Sequence, residues 1–342
     1  MSDGEDEVST DPVNLRTPIC DMLGIEYPVF LAGMGGVAYA EVCAAVSEAG
    51  GFGTLGMAGV SPEGIRREMR AVREKTDRPF GVDLLAALPE SMLASIDVII
   101  EEGAAAFIAG LGVPGPVIQR CHDAGLVVMS MCGKVSHAVA AQEAGCDVVV
   151  AQGSEAGGHT GQIGGIALIP QVVDAVDIPV IAAGALVDGR GLAAALAFGA
   201  QGVWMGTRFI ASHEARAHEF YKKRITEVDA GETRITRSYS GKPMRVIKNR
   251  WVDEWERRPG DIQPFPEQMR ISAEQGVLLL MNDEDDDFDR ERACMPCGQG
   301  AGAIRDIASC REIVERVTSE ARETIARLAR IATASAGGTP AG

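Results

Sequence analysis

The stretch DAGLVVMSMCGKVSHAVAAQEAGCDVVVAQ, residues 123–152, contains two short apolar runs on either side of an amphipathic segment. The runs Leu126–Met131 and Val148–Gln152 are apolar on both faces, as expected of strands covered on both sides of a parallel sheet. The segment Lys134–Ala144 has the length and spacing of a helix, and a glycine placed for a left-handed helix end precedes each run. The stretch therefore predicts a strand–helix–strand unit with parallel strands.

The same unit recurs along the chain and gives eight predicted strands. These strands are Pro28–Ala32, Phe52–Leu55, Pro79–Leu84, Ala105–Ala109, Leu126–Met131, Val148–Gln152, Pro179–Ala183 and Gly202–Met205. The helices between them are predicted at Ala38–Ala49, Pro62–Lys75, Pro89–Glu102, Pro114–Ala124, Lys134–Ala144, Ile166–Val176 and Gly189–Phe198. Five helix-to-strand joints share one form: EAGGFGT, EEGAAAF, DAGLVVM, EAGCDVVV and FGAQGVW. Eight such units favour an α/β fold of the (β/α)8 TIM-barrel type over a doubly wound sheet, which usually has about six strands.

The rest of the chain divides by composition. Residues 1–16 are predicted to be a disordered acidic tail and residues 17–211 the barrel, which we expect to bind a cofactor. Residues 212–298 break the alternation with charged and proline-containing sequence, and we call this segment the insertion. Residues 299–332 regain helical periodicity and are predicted to pack on the barrel as C-terminal helices. The last ten residues, 333–342, are predicted to be frayed.

Negative charge is concentrated in two places. The 342 residues include 32 Lys and Arg against 48 Asp and Glu, a formal net charge of −16. Eleven of the acids lie in residues 1–11 and in the acidic loop 283–289. Without a basic face the chain lacks the main driving force for binding nucleic acid. No apolar run is long enough to span a bilayer and no signal peptide is present, so we expect a cytoplasmic protein whose eight cysteines are thiols.

Glycine-rich segments follow four of the predicted strands, at the barrel end where this fold places its active sites. They are Gly33–Gly36, Gln152–Gly161, Ala183–Ala185 and Gly206–Arg208. Tight turns alone would explain one such segment, but four together favour a site at which backbone approaches a ligand, and the last two favour a phosphate cradle. Gly33–Ala38 also fits a dinucleotide fingerprint, although no acidic residue follows at the spacing that a Rossmann site requires.

Among the five histidines, His159 is the candidate for a catalytic group. His122, His137, His213 and His218 fall on predicted helices, where a histidine is usually structural. His159 lies in a loop of small and polar residues after the sixth strand, where we expect nothing apolar to bury it, and its imidazole suits a general base. Cys294 and Cys297 form a single C-x-x-C pair, too few ligands for a zinc site, so no metal is predicted.

Several of these segments resemble the nitronate monooxygenase (2-nitropropane dioxygenase-like) family of FMN-dependent TIM barrels and the related flavin-dependent enoyl-ACP reductases. The resemblance extends from about Thr17 to Ala329. It is carried by AEVCAAVSEAGGFGTLG, PFGVDLL, AQGSEAGGHTG, IPVIAAGALVDG, GVWMGTRF and GQGAGAI, and in the insertion by SYSGKPMRVIKNR.

The resemblance implies FMN as cofactor and assigns roles to particular residues. Gly33, Met34 and Gly35 would line the flavin ring, Gln152 would reach the ring edge or the ribityl chain, and Gly157 and Gly158 would lie beside it. The phosphate would be held by Ala183, Gly184, Gly206 and Thr207, while Gln299 would close over the site and His159 would be the catalytic histidine. Asp83 replaces the usual asparagine of F-G-V-N at a cofactor-binding position.

Two other positions also depart from the family pattern. Leu31–Met34 is closer to the enoyl reductases than to typical nitronate monooxygenases, and Met131 stands where some members have a lysine.

The resemblance implies an oxidoreductase that converts nitronates and O2 to carbonyl compounds and nitrite. An NAD(P)H-dependent enoyl-thioester reductase and a non-enzymatic flavin-binding barrel stay open as alternatives. A homodimer is also a prediction.

Overall fold

The computed structural model of the chain describes residues 13–278 and 288–334. The described residues therefore exclude most of the predicted disordered tail, most of the acidic loop and most of the predicted frayed end.

Eight parallel strands form the central barrel. They are β1 (Val29–Leu31), β2 (Gly53–Gly56), β3 (Phe80–Leu85), β4 (Ala106–Gly110), β5 (Val127–Cys132), β6 (Val148–Gln152), β8 (Val180–Ala183) and β9 (Gly202–Met205). Their order around the sheet is β1-β9-β8-β6-β5-β4-β3-β2. A parallel bridge between Phe30 and Phe52 joins the first strand to the second and closes the barrel. The predicted (β/α)8 class is confirmed.

Helices connect successive strands, close to where the periodicity predicts them. They are α2 (Ala40–Glu48), α3 (Pro62–Arg73), α4 (Pro89–Glu101), α5 (Ile118–Asp123), α6 (Val135–Glu143), α7 (Gly165–Ala175) and α8 (Gly189–Ala197). The helix predicted at Pro114–Ala124 instead begins with a 3-10 turn, Gly115–Val117. Pro114 and Pro116 lack the backbone N–H groups that an α-helix would use there. A short helix, α9 (Thr207–Ile210), follows the last barrel strand.

A helix that the sequence analysis missed, α1 (Pro18–Leu23), closes the end of the barrel at which the strands begin. Ile19, Cys20 and Leu23 belong to the same buried cluster as the inward-facing Phe30 and Trp204. The backbone N–H of Ile19 donates to the side chain of Gln201, directly before β9. Since this end is filled by packing, a ligand site is left to the opposite end.

The insertion folds into α10 (Glu219–Glu227), β10 (Thr233–Thr236), β11 (Met244–Ile247), α11 (Arg250–Glu256) and α12 (Glu267–Glu274). Tyr239, Trp251 and Trp255 lie in a small apolar cluster of its own. Its strands form an antiparallel sheet in the order β10-β11-β7, where β7 is Gly158–His159 from the loop after β6. The insertion is thus hydrogen-bonded to the barrel at the predicted catalytic loop.

The C-terminal segment contains one long helix after a 3-10 turn. The turn is Gln299–Ala303 and the helix α13 is Cys310–Ala334, which packs mainly on α8. The Glu320 carboxylate accepts a hydrogen bond from the Gly189 N–H. No helix among residues 13–278 and 288–334 is both long and apolar enough to cross a membrane.

Two of the histidine placements were wrong. His213 lies in a bend after α9, and His218 caps the start of α10 with its side chain instead of lying within a helix. The proline-free sequence around them resembles a helix, but the Ser212–Ala308 bridge ties this segment to the C-terminal part of the chain.

The five recurring joints have the predicted left-handed glycines. Their φ angles range from 71° at Gly103 to 98° at Gly145, with Gly50, Gly125 and Gly199 between them. An L-residue with a Cβ is strained in this region by roughly 1–2 kcal/mol.

We therefore expect Gly103→Ala to lower the free energy of unfolding by about 1 kcal/mol. A Cβ at Gly103 would have no heavy atom within 4 Å, so the cost is conformational rather than steric. Chemical denaturation of the variant measures it. Gly115→Ala is the matched control, because its Cβ is also unobstructed but its φ is not left-handed. Equal stability of the two variants would contradict the assignment of the joints.

Candidate active site

A cavity of about 420 Å³ lies at the barrel end where the strands finish. Its walls come from the residues that follow the barrel strands, and the insertion covers part of it through Tyr239, Ser240, Met244 and Met269. The volume is in the usual range for a small-molecule site. The cavity is therefore the candidate active site.

Twelve of the thirteen predicted site residues line this one cavity. They are Gly33, Met34, Gly35, Asp83, Gln152, Gly157, Gly158, His159, Ala183, Gly184, Gly206 and Thr207. They come from the ends of β1, β3, β6, β8 and β9, which closure of the barrel brings together.

Gln299 lies elsewhere. Its neighbours Gly298 and Gly300 line the cavity, but Gln299 itself lines an open depression on the outer side, beside Asp188 and Arg190. Its backbone N–H donates to the carbonyl of Glu155 at 2.9 Å, which fixes the segment on the loop after β6.

The glycines of the cavity wall are required by packing between loops. A Cβ at Gly157 would lie 2.7 Å from the Gly298 nitrogen, and one at Gly33 would lie 2.3 Å from the Asp83 side chain. Gly184 has a φ of 112° and would bring a Cβ within 3.2 Å of Gly153. These close approaches leave main chain, rather than side chains, along much of the cavity wall.

Two non-glycine residues at the cavity also have a left-handed backbone conformation. Leu111 follows β4 with a φ of 55°, and Ala185 follows β8 with a φ of 54°. Such conformations cost free energy and are frequently found at binding sites. Neither residue was singled out in the sequence analysis, because nothing in the residue type signals the conformation.

His159 is held from two sides. Its backbone pairs with Met244 of β11, and its Nε2 lies 2.8 Å from the Ser240 hydroxyl oxygen. The Gln152 side-chain amide donates to the His159 carbonyl at 2.6 Å. The contact of Nε2 with Ser240 therefore orients the imidazole ring.

The expectation that nothing apolar buries His159 was wrong. The Phe265 ring meets the imidazole edge-on at a centroid distance of 6.5 Å, and only part of His159 is exposed. Burial, together with the nearby Lys242 ammonium, lowers the pKa of His159 to about 4. At neutral pH the imidazole is uncharged, and it is a weaker base than a solvated histidine.

The sequence analysis did not identify the insertion residues that surround His159. Ser240, Lys242 and Phe265 lie 81 to 106 positions away in the chain, with the Lys242 ammonium 4.9 Å from the centre of the Phe265 ring. The S-G-K-P motif quoted for the resemblance contains Ser240 and Lys242 and could have pointed to them. Cys294 also lines the cavity, and burial raises the pKa of its thiol.

Sequence comparison identifies the family to which the chain belongs. The sequence model described as Nitronate monooxygenase matches residues 16–95 and 87–320, which together are most of the chain. The chain belongs to the nitronate monooxygenase family. Membership makes the protein an oxidoreductase, as the resemblance implied.

Individual proteins are similar to this chain in sequence and in fold. The chain is 33% identical to a probable nitronate monooxygenase of Staphylococcus aureus, over 75% of this chain and 85% of the relative. It is 32% identical to a (3aS,4S,5R,7aS)-5-hydroxy-7a-methyl-1-oxo-octahydro-1H-indene-4-carboxyl-CoA dehydrogenase of Mycobacterium tuberculosis, over 90% of this chain and 97% of the relative. The structure of FabK from Thermotoga maritima superposes with a TM-score of 0.85 and 35% identity, covering 92% and 99% of the two chains.

Replacing Lys242 tests the electrostatics of the site. Lys242→Met removes a positive charge that disfavours protonation of the imidazole, so we expect the pKa of His159 to rise by roughly one pH unit or less. A pH titration of the histidine signals by NMR measures it. Lys75→Met, at an exposed position on the outside of the barrel, should leave the His159 titration unchanged. An unchanged or lower pKa in Lys242→Met would contradict the electrostatic role of Lys242.

Proposed function

We propose that the cavity binds FMN and that the enzyme oxidises alkyl nitronates with O2. The fit rests on the backbone-lined part of the cavity. At Gly184 and Gly206 the chain presents main chain where a side chain would stand, and Thr207 begins α9 beside them. Backbone N–H groups at strand ends and helix starts are suited to a phosphate, and loops after strands seven and eight are its usual position in this fold.

The flavin ring would lie against the cavity walls away from Gly184 and Gly206. Gly33, Met34 and Gly35 would line it, with Gln152, Gly157 and Gly158 beside it and Asp83 below the first loop. When bound, FMN would supply the electron-accepting chemistry and pass electrons to O2, while the protein positions the substrate. Ala183 would border the phosphate, and Gln299 would support the closing segment from outside the cavity.

The choice of substrate rests on one observation, the neutral imidazole of His159 beside the Lys242 ammonium. A nitronate is an anion that has already lost its α-proton, so it needs no strong base. An imidazole with a pKa of about 4 is a weak base, and the Lys242 charge favours an anion nearby. Both features suit a nitronate better than a neutral nitroalkane.

A second candidate is a reductase or dehydrogenase that acts on acyl thioesters. The part of the cavity formed by the insertion is apolar, with Met244, Met269 and Leu278 along it and Leu111 from the barrel. An apolar wall suits an acyl chain or ring system better than a small polar nitronate. The mycobacterial relative is named for a CoA thioester, which agrees with this candidate.

The cofactor proposal predicts that the purified protein is yellow and contains FMN rather than FAD. The cradle at Gly184 and Gly206 terminates the ligand at one phosphate, and the sequence has no Rossmann acid for an adenosine half. Absorbance spectroscopy, followed by chromatography of the released flavin, measures it. A spectrum without flavin bands after FMN has been added would overturn the proposal.

The catalytic proposal predicts that His159→Asn affects two forms of one substrate differently. Turnover of a neutral nitroalkane should fall by roughly 10²-fold, the lower end of the usual contribution of a general base, because the low pKa makes His159 a weak base. The preformed nitronate should keep much of its rate, and FMN should stay bound, because backbone elsewhere holds it. Stopped-flow flavin reduction at one pH compares the two forms, and His137→Asn on the exposed face of α6 is the control.

Two outcomes would change the assignment. Equal losses on both substrate forms, with FMN still bound, would show that His159 binds or orients the substrate instead of removing a proton. If neither form reduces the wild-type flavin but NADPH does, and an enoyl thioester is then consumed, the second candidate replaces the nitronate assignment. Cytoplasmic location and a homodimer stay predictions.

A further inference from the structure

One carboxyl group in the cavity has no opposite charge to balance it. Asp83 lies in β3, paired in register with Gly56 on one side and Ile108 on the other, and the part of its side chain that is exposed faces the cavity. Among the described residues that line the cavity there is no lysine or arginine. An ionised Asp83 would therefore place an unbalanced negative charge beneath the ligand.

The two carboxyl oxygens of Asp83 have different surroundings. Oδ1 lies on the side of Gly110, whose backbone N–H acts to lower the pKa of the carboxyl group. Oδ2 lies against Gly33, so closely that a Cβ at that position would be 2.3 Å from it. Gly33 is in the loop that lines the proposed flavin ring. One oxygen thus lies on the side of the barrel strand β4, and the other lies against the loop that lines the cavity.

We propose that Asp83 is a neutral carboxylic acid in the resting enzyme and donates a hydrogen bond from Oδ2 to an acceptor atom of the bound flavin. In this form it donates a hydrogen bond, as the amide N–H of an asparagine would at the same position. The inference rests on the proposed flavin site, because the acceptor belongs to that ligand. It assigns Asp83 to positioning of the cofactor.

The surroundings of Asp83 favour the neutral form. Burial raises the pKa of the carboxyl well above its usual range, against a smaller opposite effect of the Gly110 N–H. The other titratable groups that line the cavity are His159, Tyr221, Tyr239 and Cys294. The imidazole is uncharged at neutral pH, and burial raises the pKa values of both tyrosines and of the thiol, so none of them supplies a charge.

The Lys242 ammonium acts on His159 and lies against the Phe265 ring, and it is not among the residues that line the cavity with Asp83. A ligand that fills the cavity also displaces water from Asp83, which disfavours the ionised form further. When the pH exceeds the pKa of the carboxyl, the proton leaves to solvent and the hydrogen bond becomes a repulsion between the carboxylate and the lone pair of the acceptor atom.

The test is the pH dependence of FMN binding to the apoprotein, measured by quenching of flavin fluorescence. In the wild type, the dissociation constant should be flat at low pH and should then rise by up to tenfold per pH unit above the pKa of the free carboxyl. Asp83→Asn should bind within about threefold of the wild type at neutral pH but lack this rise. Asp83→Ala, which cannot donate, should bind about tenfold more weakly.

Two further readouts separate protonation from a structural effect. The infrared carbonyl band of a protonated carboxylic acid should be present in the wild type and in the exposed-site control Asp77→Asn, and absent in Asp83→Asn. The midpoint potential of the flavin at neutral pH should be the same in wild type and Asp83→Asn, because neither has a charge at this position. Should the variants not fold, pH titration of the infrared band in the wild type decides the protonation state.

Parallel pH profiles for wild type and Asp83→Asn, a missing carboxylic acid band, or a higher flavin potential in Asp83→Asn would overturn the proposal, since each is expected of an ionised Asp83. Failure of the proposed function has a different signature. A protein that binds no flavin at any pH refutes the flavin site, whereas a wild type that binds FMN without the acid band refutes only the role of Asp83.

Discussion

The pairing of Gly158–His159 with Met244–Arg245 is the interaction on which the site depends. Barrel closure alone would leave the loop after β6 open, with His159 free to adopt several orientations. The antiparallel pairing joins this loop to the insertion, which brings Ser240 within hydrogen-bond distance of the imidazole and Phe265 into an edge contact with it. One short strand thus positions the histidine, buries it and covers the cavity.

The same loop is fixed at its other end by close main-chain packing. Gly157 contacts Gly298, and the Gly298 N–H donates to the Thr207 hydroxyl at 3.0 Å. The loop after β6, the start of α9 and the segment before Gln299 therefore meet at one point. Glycine is needed there because two backbones and the Thr207 hydroxyl converge at this point.

The barrel was predictable because its signals are local. The apolar runs begin every 21 to 31 residues with helical spacing between them. The glycines of five joints, Gly50 and Gly145 among them, have the expected left-handed φ. The rest required contacts between distant parts of the chain. A glycine-rich loop around His159 indicates exposure until β11 pairs with it, and no local pattern in α1 indicates that it fills the opposite barrel end. The strained conformations of Leu111 and Ala185 likewise follow from the surrounding structure and not from residue type.

The cavity is best understood through its lack of fixed charge. Its described lining contains one acid, Asp83, and one imidazole, and burial favours the neutral form of both. In the proposed complex, backbone N–H groups at one end would meet the phosphate charge, and the Lys242 ammonium, outside the lining, would favour an anionic substrate at the other. In the proposed complex, the flavin ring between them would have hydrogen-bond donors but no neighbouring anion. The ring would then gain electrons without opposing a fixed negative charge, which would favour its reduction.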